Sequence, residues 1–452
     1  MKNWFRLAIL SAVAAWAYPA EAEAGSILIS VKEDMKWEDF RTPDGLSPGT
    51  DVKPLPGAGL VRVSSSDKGN LEKAVKKVEQ QLEPYILESG LDPEMKLPDI
   101  PKDSFRSGSM ISSALLYKNW GWDVKAVTES GKSYELHRGS RNVEIAVVDT
   151  GIDLEHPDLI ESIVRRGQSF VPGSPSTDDN NGHGTMTAGM ISANGQLLGV
   201  GPGLGIVPYK VMDKDAGQFS WMIEGILAAI RDRADVIQIS LGTYKSLSDK
   251  DERIAVRAFE KTAGLARKKG ILIIASAGNE GIDLSNPGRA GDQLGRPGER
   301  MVHLPGGSLK NTVSVSAATR QNQLAPYSNY GKEIDFTAPG GVLDYTDQTL
   351  APLILTTYPL DLPQPVIPYY LGMPKGYEFS AGTSLAAPKT AATAGLIISA
   401  YLEKHGKKPS AEKVLDIMRK SADDLGKPGN DPQFGSGMIN AYQAIKLAAE
   451  KK

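Results

Sequence analysis

Three short runs of apolar, largely β-branched residues constrain this fold more than anything else in the chain: Ile145-Ala146-Val147-Val148, Val236-Ile237-Gln238-Ile239 and Ile271-Leu272-Ile273-Ile274. Each has the length of a strand, and stretches patterned as helices lie between them, at residues 221–231 and 250–269. Strands apolar on both faces that alternate with helices predict a mostly parallel sheet covered on both sides, an α/β fold. Functional residues of such folds gather at the C-terminal ends of the strands. No internal repeat is visible.

The segment before this pattern differs in character. Lys2 and Arg6 precede an apolar run over residues 7–17, and Ala20-Glu21-Ala22-Glu23-Ala24 follows. This is the layout of a secretory signal peptide, so residues 1–24 predict export. The alternative, an uncleaved anchor, calls for a longer apolar run. Residues 25–95 read as a small α+β unit with strands at 26–31 and 60–63 and a helix at 70–85. The helix carries Leu71, Ala74, Val75, Val78 and Leu82 on one face. Leu97-Pro98-Asp99-Ile100-Pro101-Lys102-Asp103 reads as an exposed linker. The chain thus divides into 1–24, 25–105 and 106–452. A formal net charge of -3 gives no basis for a nucleic acid or anionic membrane partner, and 0 cysteines exclude disulfides, thiolate metal sites and a thiol nucleophile.

Acyl transfer by a serine requires a base, an acid to orient it, and donors for the oxyanion. Asp149 follows the first buried strand, where neighbouring backbone donors can hold a carboxylate. Among the 5 histidines, His183 alone lies between glycines, in Asn181-Gly182-His183-Gly184-Thr185. His156 reads as a turn residue, and His137, His303 and His405 lack such surroundings. Ser384 lies in Gly382-Thr383-Ser384-Leu385-Ala386-Ala387-Pro388, where small residues lead into a helix with Pro388 expected in its first turn. A serine there can be a plain N-cap, but free N–H groups at a helix start can also face an oxyanion. Asn279, in Ala277-Gly278-Asn279-Glu280, stands just past the third strand, where its amide can donate to the same charge. Gly199-Val200-Gly201-Pro202-Gly203-Leu204-Gly205 lacks the preceding strand and the spacing of a nucleotide loop and reads as a plain loop.

The segments around Asp149, His183 and Ser384, in that order, together with Asn279 and the closing Gly435-Ser436-Gly437-Met438-Ile439-Asn440-Ala441, resemble the signatures of subtilisin-like serine proteases over roughly residues 110 to 445. Sedolisin-type enzymes share the Gly-Thr-Ser motif but use a glutamate base, and His183 argues against them. The resemblance implies a subtilisin-like three-layer fold, with Asp149, His183 and Ser384 as triad and Asn279 in the oxyanion hole. It also implies a secreted, monomeric endopeptidase whose first hundred residues are an inhibitory propeptide removed by self-cleavage. Substrate would lie between Ser240-Leu241-Gly242 and Ala275-Ser276-Ala277-Gly278, with Glu280 at the pocket rim. A free Glu280 carboxylate would favour a basic residue and maturation after Lys102 or Arg106. The chemistry calls for no cofactor. Asp158 matches a calcium ligand of the family, while the loop through Asn194-Gly195-Gln196 is shorter than the usual calcium loop. Extra chain over residues 340–377 is similar to the subgroup that removes lantibiotic leader peptides, which would make a lantibiotic precursor the partner. A general degradative enzyme and a catalytically silent fold remain the alternatives.

Overall fold

The computed structural model describes residues 25–96, 115–214, 216–307, 310–342, 350 and 352–450. The segment expected to be a signal peptide and the expected linker with Lys102 and Arg106 lie outside these residues.

The first unit is an antiparallel sheet in the order β2-β3-β1-β4, from β1 (Gly25–Val31), β2 (Thr50–Leu55), β3 (Leu60–Ser65) and β4 (Ile86–Leu91). Helix α1 (Lys68–Leu82) starts at Asp67, whose side chain accepts from Asn70 N at 2.7 Å, and buries Leu71, Ala74, Val78 and Leu82. Strand β2 escapes sequence reading because it contains Pro54. A proline cannot donate to a ladder, and it is tolerated here because β2 is an edge strand.

The larger unit centres on seven parallel strands in the order β15-β14-β12-β10-β6-β8-β7. These are β6 (Glu144–Asp149), β7 (Gln168–Ser169), β8 (Gly205–Lys210), β10 (Val236–Ile239), β12 (Leu272–Ser276), β14 (Thr312–Ala318) and β15 (Phe336–Pro339). Alternate side chains face opposite sides, so the sheet feeds two cores. Ile145, Val147, Val236 and Ile274 join one that includes Ala391, Leu396 and Ile397 of helix α5 (Thr383–His405). Ala146, Val148, Ile237 and Ile273 join the other, with helices α3 (Phe219–Arg231) and α4 (Lys250–Lys268). The result is the expected three-layer α/β arrangement. The Gly199–Gly205 segment is a loop leading into β8, with Gly203 N bonded to Arg138 O at 2.7 Å.

The small unit packs on α3 and α4. Glu88 accepts from Arg253 at 3.3 Å and Arg257 at 2.7 Å, and Glu224 of α3 pairs with both Lys53 and Arg62. Asp92 accepts from Ser220 N at 3.1 Å and Ser220 Oγ at 2.5 Å, a carboxylate set at the positive start of α3; burial nonetheless pushes its pKa up. Beyond it, β5 (Glu94–Lys96) adds antiparallel to β9 (Ala216–Gln218), and Met95 buries in the same cluster as Phe219 and Leu241.

Candidate active site

Asp149 is the last residue of β6 rather than the residue after it, and it is fully buried. Its Oδ1 accepts from Thr150 N at 2.8 Å and lies 2.7 Å from His183 Nδ1. A carboxylate at that distance fixes the Nδ1–H tautomer and leaves Nε2 to act as base. His183 is the first residue of helix α2 (His183–Ser192). The helix can approach β6 because the next residue is a glycine: a Cβ on Gly184 would lie 2.0 Å from the Gly151 carbonyl oxygen.

Ser384 is the second residue of α5. Its hydroxyl donates to Ser240 O at 3.2 Å, and Ser240 Oγ donates back to Ser384 O at 2.8 Å. The second bond has a local cause. Pro388 is the sixth residue of α5, beyond the first turn where the sequence reading put it. A proline has no N–H for the carbonyl four residues earlier, which is that of Ser384, and the Ser240 hydroxyl fills the gap. Ser240 itself follows β10, whose Ile239 is level with Val148 of β6, so Ser240 and Asp149 leave the sheet side by side.

Asn279 follows β12 by three residues. Its Oδ1 accepts from Thr383 N at 2.9 Å and Thr383 Oγ1 at 2.7 Å, which fixes which way the amide points. The Nδ2 end then faces the start of α5: the position of a Cβ on Gly382 lies 3.4 Å from Asn279 Nδ2 and 3.6 Å from Ser384 N. Asn279 Oδ1 is 3.8 Å from the same position, so the amide lies beside the start of α5, where a side-chain NH2 and a backbone N–H can donate to a developing oxyanion.

The segments expected to wall the substrate, residues 240–242 and 275–278, lie just after β10 and at the end of β12, and the structure adds two features to them. First, β5 lies on β9, an edge absent from the sequence reading, and Met95 is buried in the same core as Leu241 of one expected wall. Second, His303 stands between the walls. Its Nε2 would lie 2.3 Å from a Cβ on Gly242 and 3.1 Å from one on Gly278. Burial lowers its pKa, against the pull of Glu280. Only the pairing of β11 (Thr243–Ser246) with β13 (Met301–Leu304) brings His303 there, so nothing local could have singled it out. Glu280, the residue expected at the pocket rim, is exposed. Its Oε2 accepts from Tyr244 OH at 2.7 Å and Asn329 Nδ2 at 2.9 Å; burial and this carboxylate raise the Tyr244 pKa.

Asp158 is likewise engaged. Its oxygens accept from Gln196 N at 2.9 Å, Leu197 N at 2.8 Å and Tyr377 OH at 3.1 Å. Three donors thus share this carboxylate.

Residues 340–377 contain β16 (Ile354–Thr357), which pairs antiparallel with β17 (Tyr377–Ser380). Thr356 and Thr357 donate to the carbonyls of Met186 and Thr185 at 2.7 Å each, and the Tyr358 ring covers Gly182. The extra chain therefore braces the helix that carries His183.

The model of the subtilase family matches residues 140–437. The epidermin leader peptide-processing serine protease EpiP of Staphylococcus epidermidis is 29% identical over 72% of this chain and 74% of its own length. Subtilisin amylosacchariticus of Bacillus subtilis subsp. amylosacchariticus is 33% identical over 68% of this chain and 66% of its own. The crystal structure of a lanthipeptide protease superposes with a TM-score of 0.68 at 40% identity, covering 76% of this chain and 99% of that one.

Proposed function

The chain belongs to the subtilase family and is a serine endopeptidase, and from that premise we propose that it is a secreted, self-maturing leader peptidase that cuts a lantibiotic-type precursor. In this reading His183 Nε2 takes the Ser384 proton as Oγ attacks the scissile carbonyl. Asp149 holds the imidazole in its tautomer and stabilises the imidazolium. Asn279 Nδ2 and Ser384 N bind the oxyanion, and water then releases the acyl group with the same histidine as base. The observation that carries the chemistry is the 2.7 Å contact of His183 Nδ1 with a fully buried Asp149. The leader-peptidase part rests on the likeness to the epidermin leader peptide-processing enzyme and the lanthipeptide protease, of which the latter is the more similar in sequence at 40% identity.

Two measurements test this reading. Matured protein should react with a fluorophosphonate probe at Ser384; absence of labelling in folded, matured protein would refute the chemistry. Casein and a lantibiotic precursor should then be compared, with a single cut in the precursor and little digestion of casein expected. Efficient cutting of casein at many sites would favour a general degradative enzyme.

Two further expectations arise here. Asn279→Ala should lower turnover on the order of a hundredfold with KM little changed, a magnitude familiar from the oxyanion asparagine of subtilisin rather than one following from these distances; an unchanged kcat would remove Asn279 from the oxyanion site. We further propose that protein donors serve at Asp158 in place of calcium. EDTA should then leave the inactivation temperature unchanged, and a fall on chelation that calcium reverses would count against this.

A further inference from the structure

We infer that Asp179 is a positioning residue that sets both members of the Asp149–His183 pair. This rests on the triad reading proposed above. Asp179 is 5% exposed and accepts five hydrogen bonds. Its Oδ1 takes Thr150 Oγ1 at 2.8 Å, Asn181 N at 3.0 Å and Gly182 N at 2.9 Å. Its Oδ2 takes Thr185 N at 2.9 Å and Thr185 Oγ1 at 2.7 Å.

Four of the five donors flank the histidine in sequence. Asn181 and Gly182 precede it and Thr185 follows it, so one carboxylate fastens the backbone on both sides of the imidazole. The fifth donor belongs to the other partner. Thr150 N donates to the Asp149 carboxylate while Thr150 Oγ1 donates to Asp179 and accepts from Gly184 N at 2.9 Å. Thr150 thereby links the orienting acid to the histidine loop. Gly182, at the N-cap of α2, has no side chain with which to cap the helix. Asp179 supplies that function from three residues upstream and extends it to the neighbouring strand end.

A carboxylate suits this position because it offers about four acceptor sites and no donor. Asparagine would offer one acceptor oxygen and turn an NH2 toward groups that already donate. Some of the five bonds would break, and the loop carrying His183 would shift against Asp149. Displacements of about 1 Å at reacting groups cost on the order of a hundredfold in rate.

The test is a double-mutant cycle read by the rate of fluorophosphonate labelling at Ser384. Asp179→Asn, His183→Ala and the pair are made in the full chain and matured by a trace of wild-type enzyme. Asp179→Asn should slow labelling on the order of a hundredfold. In the His183→Ala background the same change should alter the rate less than about threefold, because its route of action is gone. Labelling slowed equally in both backgrounds would mark Asp179 as a structural cap and overturn the inference, as would wild-type labelling by Asp179→Asn. Wild-type labelling by His183→Ala would instead sink the triad reading, and this inference with it. If Asp179→Asn does not fold, Thr150→Val carries the test. Losing one hydrogen bond should slow labelling about tenfold with His183 present and leave it unchanged without; any other pattern rejects the linkage.

Discussion

A Ser384→Ala variant is expected to emerge with the unit around β1–β5 still attached, whereas the wild type loses roughly its first hundred residues. The N-terminal unit is held against α3 and α4 by Glu88 with Arg253 and Arg257, by Glu224 with Lys53 and Arg62, and by Asp92 on Ser220. Strand β5 runs antiparallel along β9, and Met95 is buried in the core that also holds Leu241. A chain added as an extra strand there is held as a substrate strand would be, by backbone pairing with pockets for alternate side chains. Intact mass and N-terminal sequencing of the two proteins read the outcome directly. In our reading peptidase activity of the variant falls on the order of a millionfold, the scale found for the nucleophile of subtilisin itself. The same N-terminus on both proteins would mean that another protease does the maturing.

The second large effect is on stability. Asp123→Ala should destabilise the protein by about 3–5 kcal/mol, the usual cost of breaking a buried ion pair by removing one partner. Lys389 lies inside α5 with no exposed surface, and its Nζ is 2.7 Å from Asp123, which is 1% exposed. Burial lowers the Lys389 pKa while Asp123 opposes the shift. Without Asp123, the ammonium keeps, among the described residues, the carbonyls of Leu385 at 3.0 Å and Pro339 at 3.2 Å. Adding Lys389→Met should recover most of the loss, since an apolar replacement of both partners is often neutral or stabilising. Denaturant unfolding in the Ser384→Ala background, which prevents autolysis, measures both. A loss below about 1 kcal/mol for Asp123→Ala would show that the two carbonyls suffice for the charge.

What could be read from the sequence is what neighbours in sequence determine. Buried parallel strands are short, apolar and β-branched, so β6, β10 and β12 could be read from their runs to within two residues. Asp149, His183, Asn279 and Ser384 each sit at a strand or helix end beside small residues, and that local setting marked them. The failures have equally local causes. Pro54 hides an edge strand, and Pro388 reads as a first-turn proline because the helix start at Thr383 is not visible in the apolar pattern.

Only the tertiary structure decided which distant groups meet. Asp123 and Lys389 pair across 266 positions, and each alone reads as an ordinary charged residue. His303 enters the space between the walls only because β13 pairs with β11, and the Glu280 carboxylate acquires its donors from Tyr244 and Asn329. The Thr356 and Thr357 contacts to α2, and the five donors around Asp179, likewise exist only once the chain is folded. The physical reason is common to all of these. Apolar periodicity fixes what a segment becomes. Partners for buried polar groups are fixed by strand order and by the cost of leaving those groups unpaired, and both are properties of the whole fold.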